Sequence, residues 1–328
     1  MSKSSQTLQE DASINEFFSL VATETLALFE YLEFEFLYEF DVVAPASRGQ
    51  TRKHHPPELF RAFLHCYYKD IYGTRPVARE LQHSLVWYDC GLDRPPSRDT
   101  IDRFLTDLEQ VIDDVFNRLV EQAAARGLLD STYSIDSTHV EAIQHNDAAS
   151  WNYNPTAEEY YYGFGCTTVS TGAKIPIAAE FTQAKRASQE TAMRVTRSPS
   201  KSRCGCLETA PTISLIGTIT CCSQGSCLSL RTIPVTLTTR KIPSTGSKTA
   251  SLNTARTCNW KQSILEETYN NRTGVERTND AVKDCGLGHV RARGRVHART
   301  ELYVALCLRL VVAITNYERG NNPGCENL

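Results

Sequence analysis

No aspartate occurs between Asp147 and Asp280, a gap spanning the middle of a 328-residue chain. Within it, Thr196–Cys258 holds a single acidic residue, Glu208, against 23 Ser or Thr and six Cys. Neither helical nor strand periodicity survives there, so this stretch is not expected to supply ordinary core elements. Long apolar runs are also absent. The most apolar stretch, Leu302–Thr315, is too short for a bilayer and contains Arg309. Met1–Ser13 is polar, which gives no secretory signal and makes the cytoplasm the expected compartment. A net charge of −3 excludes an overall basic signature, leaving any nucleic-acid binding to local patches. The crowded cysteines lack a metal pattern. Cys204-x-Cys206, Cys221-Cys222 and Cys227 do not make the paired Cys-x2–4-Cys units of structural zinc. A disulfide framework is not expected in a cytosolic chain.

Elsewhere the composition is that of a folded protein, 41% hydrophobic and 22% charged, enough for one large domain or two smaller ones. Residues 1–13 are expected to form a disordered tail. Ile14–Phe40, without Gly or Pro, predicts a helix. A polar loop over 44–55 ends in Arg52, Lys53, His54 and His55, either a solvated loop or a phosphate contact. Pro56 and Pro57 open a helix to about Tyr72, which Gly73 ends, and Pro76–His83 forms a third. Ser97 is a candidate N-cap for a long amphipathic helix. Its apolar residues Ile101, Phe104, Leu108, Ile112, Val115 and Leu119 recur at 3/4 spacing, with Leu105, Val111, Phe116 and Val120 beside them. Residues 14–130 therefore predict a helical region. Short helices around a glycine turn fit a DNA reader, and equally a plain bundle.

After Gly127 the pattern alternates. Tyr133–Val140 predicts a strand with Asp136 at its middle. Tyr160–Ser170 and Ile175–Thr182 predict two more, joined as a hairpin at Thr171-Gly172, and Ser188–Val195 a helix. Ordinary sequence resumes at Lys261, with Lys261–Asp284 helical in composition and Thr300–Tyr317 a final apolar helix.

On that resumed stretch Tyr269, Arg272, Glu276 and Lys283 fall at i, i+3, i+7 and i+14, one face of a helix. In isolation such a stripe is an ordinary solvated face. Joined to the upstream Ile-Asp-Ser-Thr strand, it resembles the Tyr-Arg-Glu-Lys signature of DDE-class insertion-sequence transposases of the insertion-sequence-four type. The order of helical N-terminus, Asp strand, hairpin and signature helix is similar to that family over most of the chain outside Thr196–Trp260. The resemblance implies an α/β, RNase H-like catalytic core over 131–320, interrupted by an aberrant segment over 196–260, with a DNA-binding helical region over 14–130 and a tail over 321–328. It implies Mg²⁺ (or Mn²⁺) as cofactor, held by Asp136 as first and Glu276 as third carboxylate. Hard cations take carboxylate oxygens, and a pair of them activates the nucleophile and stabilises the leaving oxygen in phosphodiester chemistry. Arg272 and Lys283 would hold DNA as cations, Tyr269 would position or stack on it, and His139 is either close support or an ordinary structural histidine. The implied partners are DNA (the element's terminal inverted repeats and target DNA) and further copies of the chain as a homo-oligomer on DNA. No membrane is involved, and the location is cytoplasmic and nucleoid-associated.

The family's second Asp, in a motif like Gly-Asp-x-x-Tyr-Asp, is missing. A shifted reading frame over about residues 198–260 explains the loss. If one nucleotide was lost, each original codon is the third base of one present codon plus the first two of the next. The middle base, which largely sets polarity, is then mostly fixed by the residue seen. Cys206-Leu-Glu-Thr-Ala-Pro-Thr-Ile213 can be written TGC TTG GAG ACA GCG CCT ACG AT. Prefixed with A and regrouped, it reads Met-Leu-Gly-Asp-Ser-Ala-Tyr-Asp. The second Asp then falls at Thr209, which cannot supply a carboxylate, and Glu208 beside it would point to the opposite face of a strand. The frame would resume near Trp260 or Lys261.

The sequence thus predicts an insertion-sequence transposase, cutting and joining DNA at terminal repeats by descent, but inactive for want of the second catalytic Asp. The alternative is a non-catalytic DNA-binding remnant that inhibits an intact transposase. Another RNase H-like nuclease fits the Tyr-Arg-Glu-Lys spacing less well. Outside 196–260 the chain carries 37 acids against 27 Lys plus Arg. With a GC-rich regrouped frame, that balance points to a salt-adapted prokaryotic host.

Overall fold

The computed structural model describes residues 27–44, 53–129, 132–154, 158–183, 218–220 and 277–325. The fold is mixed α/β: a helical layer, a mixed sheet, and one central helix that packs against both.

Residues 27–29 are helical, and a 3-10 turn follows at Glu35–Glu39, so the described part of the first expected helix gives way to turns. Helix α1 is Pro56–Tyr68. Its two prolines occupy the first turn, where a missing N–H leaves no intrahelical bond unmade. Helix α2 is Thr74–His83, entered through Gly73 at φ +83, and α3 is the single turn Val86–Asp89. Helix α4, Arg98–Leu108, starts where the sequence places it: Ser97 Oγ accepts the Thr100 N–H at 3.3 Å.

The long helix expected from Ser97 onward is broken at Glu109–Val111, and α5 runs over Ile112–Ala125. The apolar spacing continues through the break, with Leu108 and Ile112 both fully buried, so periodicity alone could not reveal it. The new N-terminus places Asp113 and Asp114 in the first turn of α5, favourable for the helix dipole. Glu109 and Asp113 then pair with His297 and Arg299 of the central helix.

Strands are β1 (Thr132–Ala142), β2 (Ser150–Asn154), β3 (Glu159–Thr171), β4 (Pro176–Gln183), β5 (Thr218–Thr220) and β6 (His289–Val290). β1 and β3 pair antiparallel over nine residues, Asp136 opposite Thr168. On its far edge β3 pairs with β2 at one end and β4 at the other. The β3–β4 hairpin agrees with the sequence, whereas β2 was not expected. Gly163 lies where β1 and β2 flank β3, and a Cβ there would overlap the Val140 carbonyl, so only glycine lets the strands close. β1's other edge takes β5 antiparallel at Thr132–Ser134 and β6 parallel at Glu141–Ala142. Among the described residues no strand pairs with β1 between those two on that edge.

Helix α6, Arg295–Glu318, is the core element. From Leu302 to Asn316 every residue is buried, which makes it apolar all round rather than amphipathic. Its Tyr303 ring meets Phe116 of α5 edge-on at 5.6 Å, and its hydroxyl donates to the Ala179 carbonyl of β4 at 2.9 Å. Arg309, fully buried, donates to the carbonyls of Pro323 (2.7 Å) and Cys325 (3.2 Å).

Of the basic cluster before α1, Lys53 and His55 are exposed, as a solvated loop would have them, His54 is buried, and Arg52 lies outside the described residues. His55 forms the α1 cap, its N–H donating to Glu58 Oε2 at 3.4 Å. Among the described residues no helix is long and apolar enough to cross a membrane.

Candidate functional site

Alternation along β1 puts Asp136 on the same face as Val140, and pairing sets Thr168 of β3 beside it. Over that face lies a helical segment, residues 277–282, running into a π-helical turn at Lys283–Leu287. Thr278, Ala281 and Val282 of this segment are fully buried, which anchors it. Asn279, 3% exposed, reaches both strands. Its Nδ2 donates to Asp136 Oδ2 at 3.1 Å, and its Oδ1 accepts from Thr168 Oγ1 at 2.7 Å. An ionised Asp136 fixes this amide orientation, since the flipped amide would set two acceptors against each other.

Lys283, four residues further on, comes to the same strand. Burial first, and then the Lys283 charge, hold the His139 imidazole below its ordinary value near 6.5. The His139 ring packs on Tyr161 with centroids 4.9 Å apart. Neighbouring Ser137 shares a 2.6 Å hydroxyl contact with Thr167. Asn279 is thus the contact of this segment with β1 at Asp136, while Lys283 acts on His139 through its charge.

Of the residues singled out by sequence, Asp136 meets the helical segment, Lys283 lies four residues beyond that contact, and His139 projects from the other face of β1. Tyr269, Arg272, Glu276 and Thr209 lie outside the described residues. Asn279 and Thr168 were not anticipated. Asn279 stands three residues after Glu276 and four before Lys283, so the helical stripe that picked out those two passes through it as well. A buried amide carries no chemistry of its own, which is why it drew no attention.

A second feature is a cleft between the β3–β4 turn and the residues after α6, lined by Gly172, Lys174, Arg277, Asn322 and Gly324. It brings two cations to one opening, with Arg277 exposed.

Comparison with known proteins bears on this arrangement. The family described as "Transposase DDE domain" matches residues 239–311. Two relatives from two strains of Halobacterium salinarum are named as probable transposases for insertion sequence element ISH11. Each is 58% identical over 333 residues, covering 97% of this chain and 97% of the relative. The chain belongs to the DDE transposases of insertion sequences. No solved structure matches it. The mixed α/β architecture of this transposase agrees with the RNase H-like core of its family.

DDE transposases work with divalent metal ions. The transposase offers the matching donor chemistry at Asp136, a half-buried carboxylate with one oxygen held by an amide N–H. Among its described residues no group of three or more His, Cys, Asp or Glu comes together to hold an ion. Cys66, Cys166 and Cys307 are no substitute: all three are buried, and burial pushes the Cys66 and Cys166 thiols up to about 12.

Proposed function

We propose that this transposase carries the Tyr-Arg-Glu-Lys signature of the insertion-sequence-four type. In that reading its ancestral reaction is metal-dependent cleavage and transfer of DNA strands at the element's terminal inverted repeats. Asp136 and Glu276 are two of its metal-binding carboxylates, with Mg²⁺ the ion that suits hard oxygen donors. A bound ion activates the attacking water or 3′-hydroxyl and stabilises the leaving oxygen. Lys283 and Arg272 hold the phosphate backbone, and Tyr269 positions the DNA. The observation that carries this reading is the Asn279–Asp136 bond. It joins the helical segment over 277–282 to β1 at Asp136, and Glu276 stands three residues before Asn279 in sequence, which supports the reading.

This chain no longer cuts. The stretch over about 198–260 is read out of frame, and Thr209 stands where the second Asp belongs. The absence of any Asp from 148 to 279, and the recovery of Gly-Asp-x-x-Tyr-Asp on regrouping, support this. What is left is a DNA-binding protein of the 14–130 helical region and the remaining core. It would occupy element ends or join mixed oligomers with an intact copy.

Two measurements test the reading. The coding DNA is sequenced around codons 196–200 and 258–261; if it cannot be regrouped to give the Asp motif, the frame argument fails. The chain is then assayed on a terminal-repeat duplex with Mg²⁺ or Mn²⁺ beside a binding titration. Binding without cutting is expected. Metal-dependent cutting that Asp136→Ala abolishes would show the chain to be active after all. Restoring the frame should restore cutting, again dependent on Asp136.

A further inference from the structure

We propose that Asn279, braced by Thr168, is a positioning residue: it fixes the Asp136 carboxylate in the orientation needed to bind a divalent cation. The inference rests on the reading of Asp136 as a metal ligand. A carboxylate on a strand turns about two side-chain torsions, and each must be frozen before both oxygens face a fixed direction. Here one oxygen is engaged by a donor whose own orientation is fixed. The Asn279 amide is held at its other end by the Thr168 hydroxyl, which is fully buried and bonded at 2.7 Å. Thr168 in turn is cross-strand partner to Asp136, so the triangle closes through the β1–β3 ladder. Each corner is on a different element, and none can rotate without breaking the buried Thr168–Asn279 bond or the part-buried Asn279–Asp136 bond.

Burying an asparagine is unfavourable unless both ends of the amide are bonded. A leucine would dock the helix equally well through shape alone. What an asparagine adds is a donor aimed at Asp136. Outer partners of this kind, which orient a ligating carboxylate, commonly govern metal affinity as strongly as ligand choice does. The bond also sets the axial register of the helix on β1, and with it the position of the residues one turn either side.

The test uses the full-length chain and Mn²⁺ as probe, with free Mn²⁺ read by electron paramagnetic resonance and thermal unfolding read without metal. Asp136→Ala defines the Asp136-dependent binding. Asn279→Leu is expected to weaken that binding by roughly 10-fold or more, the usual effect of losing an orienting partner. Thr168→Val should weaken it in the same direction by less, and Thr168→Ser, which keeps the hydroxyl, should restore it to within about twofold of the parent. Should Asn279→Leu fold poorly, the Thr168 pair still decides the matter. Unchanged Mn²⁺ affinity in Asn279→Leu and Thr168→Val, with only a lowered unfolding temperature, would reduce Asn279 to a helix-docking residue and overturn the proposal. If Asp136→Ala itself leaves Mn²⁺ binding untouched, the metal-ligand reading falls, and the proposal with it.

Discussion

Gly286 and Tyr72 are in contact across the junction between the helical layer and the helical segment that begins at Arg277. Gly286 sits at φ +104, and a Cβ there would come within 2.5 Å of the Tyr72 ring. The ring has little room to yield. Its hydroxyl donates to Asp70 Oδ1 at 2.7 Å, and the Arg291 guanidinium lies 4.5 Å from its centroid. Only glycine suits this position, both by backbone and by space. The kink at Gly286 ends the helix that carries Asn279 and Lys283 and sends the chain into β6 beside β1.

Gly286→Ala is therefore expected to destabilise the protein by roughly 2–4 kcal/mol, from left-handed strain plus overpacking. In a Tyr72→Ala background the overlap is gone, so the same substitution should cost measurably less. Chemical denaturation of the four members of this cycle checks it. Equal costs in both backgrounds would mean that the two residues are not coupled.

Arg309 explains a charge in the most apolar stretch of the sequence. Its guanidinium satisfies two carbonyls of the segment after α6, at Pro323 and Cys325. Arg309→Leu leaves those acceptors without their donor and should lower stability by about 2–4 kcal/mol. Limited proteolysis should cut near 322–325 faster in the variant. An unchanged cleavage pattern would argue that Arg309 does not tie that segment down.

His54 gives the fold a pH dependence. Burial, reinforced by Arg94, lowers its pKa from the ordinary 6.5, and its Nδ1 has no hydrogen-bond partner among the described residues. The folded form therefore binds fewer protons than the unfolded one between the lowered value and 6.5. Stability is fully present above about pH 6.5 and is lost as pH falls toward the lowered value. This residue contributes a slope of at most about 1.4 kcal/mol per pH unit. His54→Phe should flatten the stability-against-pH curve below 6.5; a slope unchanged from the parent would remove His54 as its source.

Lys174 and Arg277 face one cleft between the β3–β4 turn and the residues after α6. If that cleft lies against the DNA backbone, reversing both charges should weaken binding to any duplex about equally. It should also make log K against log salt shallower by roughly 0.9 for each phosphate that is no longer neutralised. Fluorescence anisotropy across a salt series measures this. A selective loss on the terminal repeat alone would assign the cleft to sequence readout instead.

Much of the fold was legible because its signals are local. The Ser97 cap, the Pro56-Pro57 helix start and the β3–β4 hairpin depend on a few neighbouring residues, and each stands where the sequence places it. The break at Glu109–Val111 was not legible. The apolar stripe runs through it unbroken, and the partners of Glu109 and Asp113 beside the break, His297 and Arg299, stand nearly two hundred residues away. β2 escaped notice because Trp151 and Tyr153 are exposed, so its strand face shows no buried alternation.

The family and the Asp-free stretch from 148 to 279 were legible in the sequence alone, because both are carried by the order of residues. Tertiary structure decided what holds the Asp136 carboxylate. Asn279 and Thr168 stand 111 residues apart, and neither stands out in the chain until β1, β3 and the helix above them close around Asp136. A hydrogen-bond network among buried polar groups is a property of distances in space, and sequence spacing carries no record of it.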